Sequence, residues 1–450
     1  MKSPKKNNRN LSEGPIGPLL RKLTLQMLLG VSGMVVFNLI DTVYIGQLGT
    51  AELAALSYTF PVIMVITSLG FGMGIGASSV ISRAVGEGNQ EKVQRLTTDS
   101  LVLSVLLVLI FVVAGMLSIE PLFKLLGASD EIIPLIKDYM QIWYIGVLFV
   151  IVPMVGNNAL RANGDMKTPA IVMLVIVIVN IILDPILIFG FGSIPAMGLR
   201  GAAIATVIAR SVSLVVGLYF LQFKYRMLST KIPTFEEGFR SWREIAFIAL
   251  PAALSKMIAP LSLGIITSIV STFGKEAVAA YGAASKLEFM VIAVVISLSS
   301  VLNPFVGQNI GAGRLDRVNE GLRKSKIFTM FWGFGAWALL LALGQFIAPA
   351  FSDNKEVIEY ITLFLSIVPI GYILKGVFDI GVNALNVLKK PLHATLLSIV
   401  QMLVLYVPLA YLGAHLFGLW GVFAALAISN LMAGAISHFL LKRVLLELED

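Results

Sequence analysis

Two aspartates interrupt apolar runs where an isolated charge is strongly disfavoured. Asp41 lies in Asn38-Leu39-Ile40-Asp41-Thr42-Val43-Tyr44 and Asp184 in Asn180-Ile181-Ile182-Leu183-Asp184-Pro185. A charge at mid-bilayer is opposed by about 2.5–3.5 kcal/mol on insertion scales, so an intramembrane acid with no Lys or Arg within a helical turn is a functional candidate. Helical spacing puts Asn38 on the face of Asp41 and Asn180 on the face of Asp184, and Pro185 releases a backbone carbonyl in the preceding turn. If the two helices share a cavity, carboxylates flanked by amides could hold one proton or one Na⁺, and either would remove the repulsion between the acids. Hard cations prefer oxygen ligands, which Asp41, Asn180, Asp184 and Thr206 all supply. The bland alternative is that each Asp caps a helix or pairs with a neighbour.

Other polar side chains in the spans are more ambiguous. Asn38, Tyr44, Asn157 and Asn158 are candidates to line a substrate cavity, although amides also join helices to one another. The second half of the chain carries Lys256, Lys286, Glu288, Lys375 and Asp379 in or near its spans. Lys375 and Asp379 are spaced i, i+4, and Lys286 and Glu288 are close in sequence, so mutual neutralisation is the structural account and a second functional cluster the other. His393, His415 and His438 have no metal-ligand spacing. Gly86/Gly88 and Gly311/Gly313 open no phosphate loop, since no Gly-Lys-Ser/Thr follows. No His-Glu-x-x-His, Gly-x-Ser-x-Gly or cysteine nucleophile is present, though an aspartyl dyad of Asp41 and Asp184 is conceivable; the expectation is that the chain is not an enzyme, uses no cofactor beyond a coupling ion, and binds no nucleic acid.

The elements that must position these residues are transmembrane helices. Of 450 residues, 57% are hydrophobic and 13% charged, with mean hydropathy +0.88. Runs such as Leu101–Ser118, Ala170–Phe191 and Leu392–Leu412 are long enough to cross a hydrocarbon core of roughly 30 Å. The expected spans are 22–47, 54–80, 96–118, 135–160, 168–190, 197–221, 244–272, 278–305, 324–350, 357–386, 391–414 and 418–441, with the first retained rather than cleaved. With both termini cytoplasmic, 25 of the 34 Lys and Arg fall in cytoplasmic segments or within three residues of them, the bias that sets orientation. This accounts for the basic charge without an acidic partner. The absence of cysteine removes disulfides and thiolate chemistry.

An internal repeat organises the spans. Gly49-Thr50-Ala51-Glu52-Leu53-Ala54-Ala55 is answered 225 residues later by Gly274-Lys275-Glu276-Ala277-Val278-Ala279-Ala280. The same offset carries Val85-Gly86-Glu87-Gly88 onto Ile310-Gly311-Ala312-Gly313 and Asn158-Ala159-Leu160 onto Asn383-Ala384-Leu385, while Gly198-Leu199-Arg200-Gly201 returns as Gly418-Leu419-Trp420-Gly421 after a slip of five. Four matches in order mark two homologous six-helix halves. An even number of spans per half sets both halves the same way up, so such lobes are expected to meet at a central cleft and rock about it. The expected division is a lobe over 1–221, a cytoplasmic linker over 222–243 and a second lobe over 244–450.

On this frame the motifs resemble the multidrug and toxic compound extrusion (MATE) family. They are Asp41-Thr42 followed by Gly46-x-x-Gly49, Gly72-Met73-Gly74 with Arg83-x-x-Gly86, Asn158-Ala159-Leu160-Arg161-Ala162-x-Gly164-Asp165, Asn180-x-x-x-Asp184-Pro185, and Gly201-Ala202-Ala203-Ile204-Ala205-Thr206. The resemblance implies an all-α polytopic protein, twelve helices in two pseudo-twofold-related lobes, that exports lipophilic or cationic drugs from the cell membrane in exchange for H⁺ or Na⁺, as a monomer. The acidic first helix is similar to the branch named after DNA-damage-inducible protein F, which implies Asp41, Asn180 and Asp184 as the coupling site with Thr206 beside them. Two departures stand out: residues 252–272 contain no acid, and Gln26 occupies the place where its repeat partner is Pro251. Helix one therefore has no proline to bend it, though Gly30 and Gly33 could permit a bend. A flippase for lipid-linked saccharides or other lipids is the alternative, which a strongly basic cavity would favour.

Overall fold

The computed structural model describes residues 10–46, 50–231 and 234–449; from 35 to 54, only a few side chains, among them those of Tyr44 and Glu52, are described. In lipid every backbone N–H and C=O must be satisfied within its own segment, and apolar runs of this length do so as helices. They are α1 (Ile16–Gly46), α2 (Thr50–Gly86), α3 (Gln90–Leu125), α4 (Ile133–Ala162), α5 (Lys167–Phe189) and α6 (Gly198–Tyr219), then α7 (Phe235–Ser271), α8 (Lys275–Gly311) and α9 (Leu315–Ile347). α10 is Lys355–Val387, tightened by a 3₁₀ turn at Val368–Gly371. The last long helical run, Pro391–Leu446, breaks at Gly418, where φ is 62° and ψ −145°. It is thus two spans, α11 (391–417) and α12 (418–446), and the twelve expected spans are present. No strand forms among the described residues; Phe191 and Ile194 make one isolated bridge.

The helices run past the expected ends because they extend beyond the hydrocarbon. α3 has 36 residues, or about 54 Å at the α-helical rise, against roughly 30 Å of membrane core. Its start is fixed by Asn89, whose side chain accepts the Lys92 amide.

The repeat is written into the backbone as well as the residues. Gly88 and Gly313 both end a helix in the left-handed region, at φ 70° and 68°. Each is followed by the same closing bond, from the Asn89 amide to the Ala84 carbonyl (3.2 Å) and from the Arg314 amide to the Asn309 carbonyl (2.8 Å). Gly164 (φ 83°) is matched by Lys389 (φ 60°), and the Asp165-to-Leu160 bond by that from Lys390 to Leu385. Gly198 (φ 53°) is matched by Gly418 (φ 62°).

Two compact units result, one containing Gln26–Ala253 and the other containing Ser12–Leu25 with Leu254–Asp450. This division differs from the expected one at both helices that open a half: α1 passes from the second unit to the first between Leu25 and Gln26, and α7 from the first to the second between Ala253 and Leu254. Within the first unit, Gly72 and Gly76 let α7 lie against α2. A Cβ on Gly72 would stand 2.4 Å from the Ala249 carbonyl oxygen, and one on Gly76 2.8 Å from that of Ile245.

Residues 222–231, expected as part of a polar linker, are docked on the first unit. Tyr225 and Met227 are buried. The Tyr225 hydroxyl donates to Asp165, which also accepts the Lys167 and Thr168 amides at the head of α5. Gln90 and Gln94 of α3 both donate to the Arg226 carbonyl, at 3.0 and 2.9 Å. The chain thus satisfies its backbone against α3, and its polarity reports these bonds more than freedom.

The second unit is built on Tyr281, Phe364, Tyr372 and Phe423, with Phe364 set edge-on to Phe423 at 5.1 Å between ring centroids. Arg314 and Arg317 bind the chain ahead of α1, donating to the carbonyls of Ser12 (2.6 Å), Gly14 (2.9 Å) and Glu13 (3.3 Å). Arg317 is itself held by the Asn309 side chain at 3.1 Å. Hydrogen bonds to a charged group contribute about 1.5–3 kcal/mol. Arg317→Ala is therefore expected to lower the stability of the purified protein by about 2 kcal/mol, read as a fall in Tm, and to expose residues 12–25 to proteolysis.

Candidate ion-coupling site

The carboxylate of Asp184 is placed by three features of α5 and α6. Asn180 and Asp184 are one turn apart, and the Asn180 Nδ2 donates to the Asp184 Oδ1 at 3.0 Å. Both residues are buried, Asp184 completely. Pro185 lies inside α5, so the Ile181 carbonyl loses its amide donor and is an additional oxygen beside the acid. α6 closes the site through backbone contact: a Cβ on Gly201 would stand 2.2 Å from the Leu187 carbonyl oxygen. Thr206, expected as a fourth ligand, is half-buried on α6, and the structure does not join it to the carboxylate by a hydrogen bond.

α1 runs beside α5 in the same direction. A Cβ on Gly30 would meet the Ala170 Cα at 3.3 Å, and one on Gly33 would meet Leu174 at 3.3 Å and Val177 at 3.7 Å. Further along, the Tyr44 and Phe189 rings meet edge to face at 6.4 Å. These contacts step along both helices together, which sets backbone position 41, three residues before Tyr44, level with the turn holding Asp184 and Pro185. The side chains of Asp41 and Asn38 lie outside the described residues. Gly30 and Gly33, which could permit a bend, admit the side of α5, and α1 is continuous from Ile16 to Gly46.

The cavity candidates divide. Asn158 is a packing residue: its Nδ2 donates to the Met154 carbonyl at 2.8 Å and fills the space left by Gly74, where a Cβ would come within 2.4 Å of it. Asn157 Oδ1 is enclosed without a hydrogen-bond partner among the described residues. Tyr44 is half-buried and occupied with Phe189.

In the second unit Lys375 Nζ binds Asp379 Oδ1 at 2.5 Å and lies 5.2 Å from the Phe378 ring centroid. Glu288 is half-buried and faces the charge of Lys375 rather than that of its sequence neighbour, because Lys286, two residues away, is on another side of α8 and exposed. Lys375 and Asp379 thus form an ion pair, while Glu288 makes none with Lys286 among the described residues. Removing one member of a fully buried pair leaves an uncompensated charge, worth about 3–5 kcal/mol, and this pair is partly exposed, which puts it at or below the lower end. Lys375→Met should destabilise by about 3 kcal/mol, and the double variant Lys375→Met/Asp379→Leu should recover part of that loss in the same thermal assay.

A polar group missed in the sequence sits where α11 and α12 meet. Gln401 Nε2 donates to Asn430 Oδ1 at 2.8 Å, Ser429 Oγ donates to the Gln401 carbonyl at 2.8 Å, and all three are buried. Gln401 belongs to a π-helical turn, Val400–Tyr406, whose wider ring frees that carbonyl. The repeat was the available signal: Asp184-Pro185 returns as Val407-Pro408. The second half keeps the proline and replaces the acid with valine, so its α11–α12 pair holds a neutral, satisfied network where α5 holds a carboxylate.

Comparison with known proteins agrees with this architecture. The MatE family profile matches residues 27–186 and again 251–412, two stretches offset like the repeat. A protein of Shewanella oneidensis described as an FAD transporter is 37% identical over 98% of this chain and 97% of its own length. The multidrug export protein MepA of Staphylococcus aureus is 24% identical over 93% of this chain and 92% of its own. The crystal structure of the Vibrio cholerae MATE transporter VcmN in the bent form superposes with a TM-score of 0.90 at 30% identity, covering 96% of this chain and 97% of that one. The chain belongs to the MatE family of multi-pass membrane transporters, proteins that move small molecules and are not enzymes.

Proposed function

We propose that this chain is a cation-coupled antiporter that exports amphiphilic organic solutes across the cell membrane, with both termini in the cytoplasm. The observation that carries the reading is the buried Asn180–Asp184 pair on a proline-interrupted helix, with α1 position 41 at the same level. A carboxylate shut away from water is stable when it holds a proton or a cation, and loading or emptying it changes the relative stability of two conformations. Export follows when the loaded state binds cargo less tightly, because coupling is a difference of affinities between states. H⁺ and Na⁺ both suit carboxyl and amide oxygens.

For the cargo, 37% identity along nearly the full length of the FAD transporter, together with lysines in the second unit's spans, supports an aromatic anion such as a flavin dinucleotide. The second reading is a cationic drug, supported by the relationship to MepA and by the acid of α5. The test is efflux of FAD and of ethidium from proteoliposomes with pH and Na⁺ gradients imposed separately. Movement that follows one gradient names the ion, and the cargo that moves names the class. Wild-type protein that moves neither under either gradient refutes the antiporter and turns attention to lipid flipping.

A further inference from the structure

We propose that Lys256 is the residue that reads negative charge on the cargo, binding a phosphate or carboxylate group as it passes the second unit. The proposal deepens the transporter reading and rests on it.

Lys256 lies inside α7 with apolar sequence on both sides, Pro251-Ala252-Ala253-Leu254 before it and Met257-Ile258-Ala259-Pro260 after it. From Phe235 and from Ser271 it is separated by more than roughly 20 Å of helix at 1.5 Å per residue. An extended lysine spans about 6 Å, so it cannot carry its ammonium to a headgroup layer from there, as lysines near helix ends do. Yet the side chain is exposed. A charged side chain at that depth faces other polar groups or a cavity rather than lipid, and Asp379 and Lys375 of α10 are the charges that act on it.

The charges on this surface are unevenly spent. Asp379 is engaged with Lys375 at 2.5 Å, and Lys375 is also the charge that acts on Glu288. Lys256 has Asp379 only as a more distant neighbour, already bound elsewhere, and makes no ion pair or hydrogen bond among the described residues. One positive charge on this face is left without an ion pair among the described residues. Nor is it inherited from the repeat: at the 225-residue offset, the places of Lys256, Glu288, Lys375 and Asp379 are taken in the first half by Val31, Ile63, Val150 and Met154. The first half holds the acid for the ion, and the second holds the base. A lysine is a compact, strongly hydrated point charge, suited to a phosphate that must be held and then released.

The test is equilibrium binding of FAD, and separately of ethidium, to purified protein carrying Lys256→Gln or Lys256→Arg. A charge-assisted hydrogen bond of about 1.5–3 kcal/mol converts to a ten-fold or greater loss of affinity. Lys256→Gln should weaken FAD binding by at least that factor while leaving ethidium binding unchanged or tighter, and Lys256→Arg should restore FAD binding. Absence of FAD binding in wild type, equal binding by wild type and Lys256→Gln, or equal loss of both ligands overturns the assignment. None of these results touches the antiporter reading, which stands or falls on gradient-driven flux and its loss in Asp184→Asn.

Discussion

Asp184→Asn is expected to give a folded protein, inserted at the wild-type level, whose gradient-driven efflux falls to the leak of empty vesicles. The substitution keeps the shape of the side chain, and its amide oxygen can still accept from Asn180 Nδ2, as the carboxylate does at 3.0 Å. Under the proposed mechanism, what disappears is the ability to take up and release a cation. The second half offers no substitute at the matching place, since Val407 precedes Pro408 there and the Gln401–Asn430–Ser429 group is neutral. A neutral side chain at 184 freezes the site in one charge state, and the difference in cargo affinity between loaded and empty states vanishes with it. Cargo binding without a gradient should survive, because the group that would hold cargo is elsewhere in the chain. Efflux that continues under an imposed gradient, measured in proteoliposomes against protein of equal thermal stability, would remove Asp184 from the mechanism.

The spans, the repeat and the acid–amide spacing were legible in the sequence because each is a local property. Hydropathy over a span, recurrence at a fixed offset, and i, i+4 geometry need no knowledge of which helices touch. Partnership between helices was less legible. That the segment ahead of Gln26 belongs with residues beyond Leu254, and 235–253 with the first unit, depends on carbonyls bound by Arg314 and Arg317 and on Gly72 and Gly76 facing α7. Hydropathy carries none of that information. The same reason explains why residues 222–231 read as a linker: Gln90 and Gln94 are ordinary polar residues until they are seen to share the Arg226 carbonyl. Asn158 shows the limit for single amides, since the fact that decides between packing and cavity is a glycine on another helix.

Gly201→Val tests the scaffold of the site rather than its charge, and its expected signature is different. The Cβ would fall 2.2 Å from the Leu187 carbonyl oxygen and 2.5 Å from its carbon. Both are backbone atoms, so no side-chain rotation relieves the overlap and α6 must separate from α5. Overpacking of this kind destabilises by about 1–3 kcal/mol, occasionally more, and an overlap with main chain belongs at the upper end. Leu187 is three residues beyond Asp184, so the displacement also moves the carboxylate, and Tm and ion dependence should change together. Gly217→Ala on the same helix is the control: nothing lies within 4 Å of its Cβ, and replacing a helical glycine there should be neutral or stabilising by up to about 1 kcal/mol. The repeat supplies a second comparison. A Cβ on Gly421 of α12 would stand 2.2 Å from the Gly413 carbonyl oxygen, so Gly421→Val should lower Tm by a similar amount. Because the neighbouring helix carries Val407 in place of an acid, the folded fraction of Gly421→Val should keep the wild-type dependence on pH or Na⁺. If both variants shift the ion dependence equally, the site is not confined to the first half; if only Gly201→Val does, the two halves share a fold and divide its chemistry.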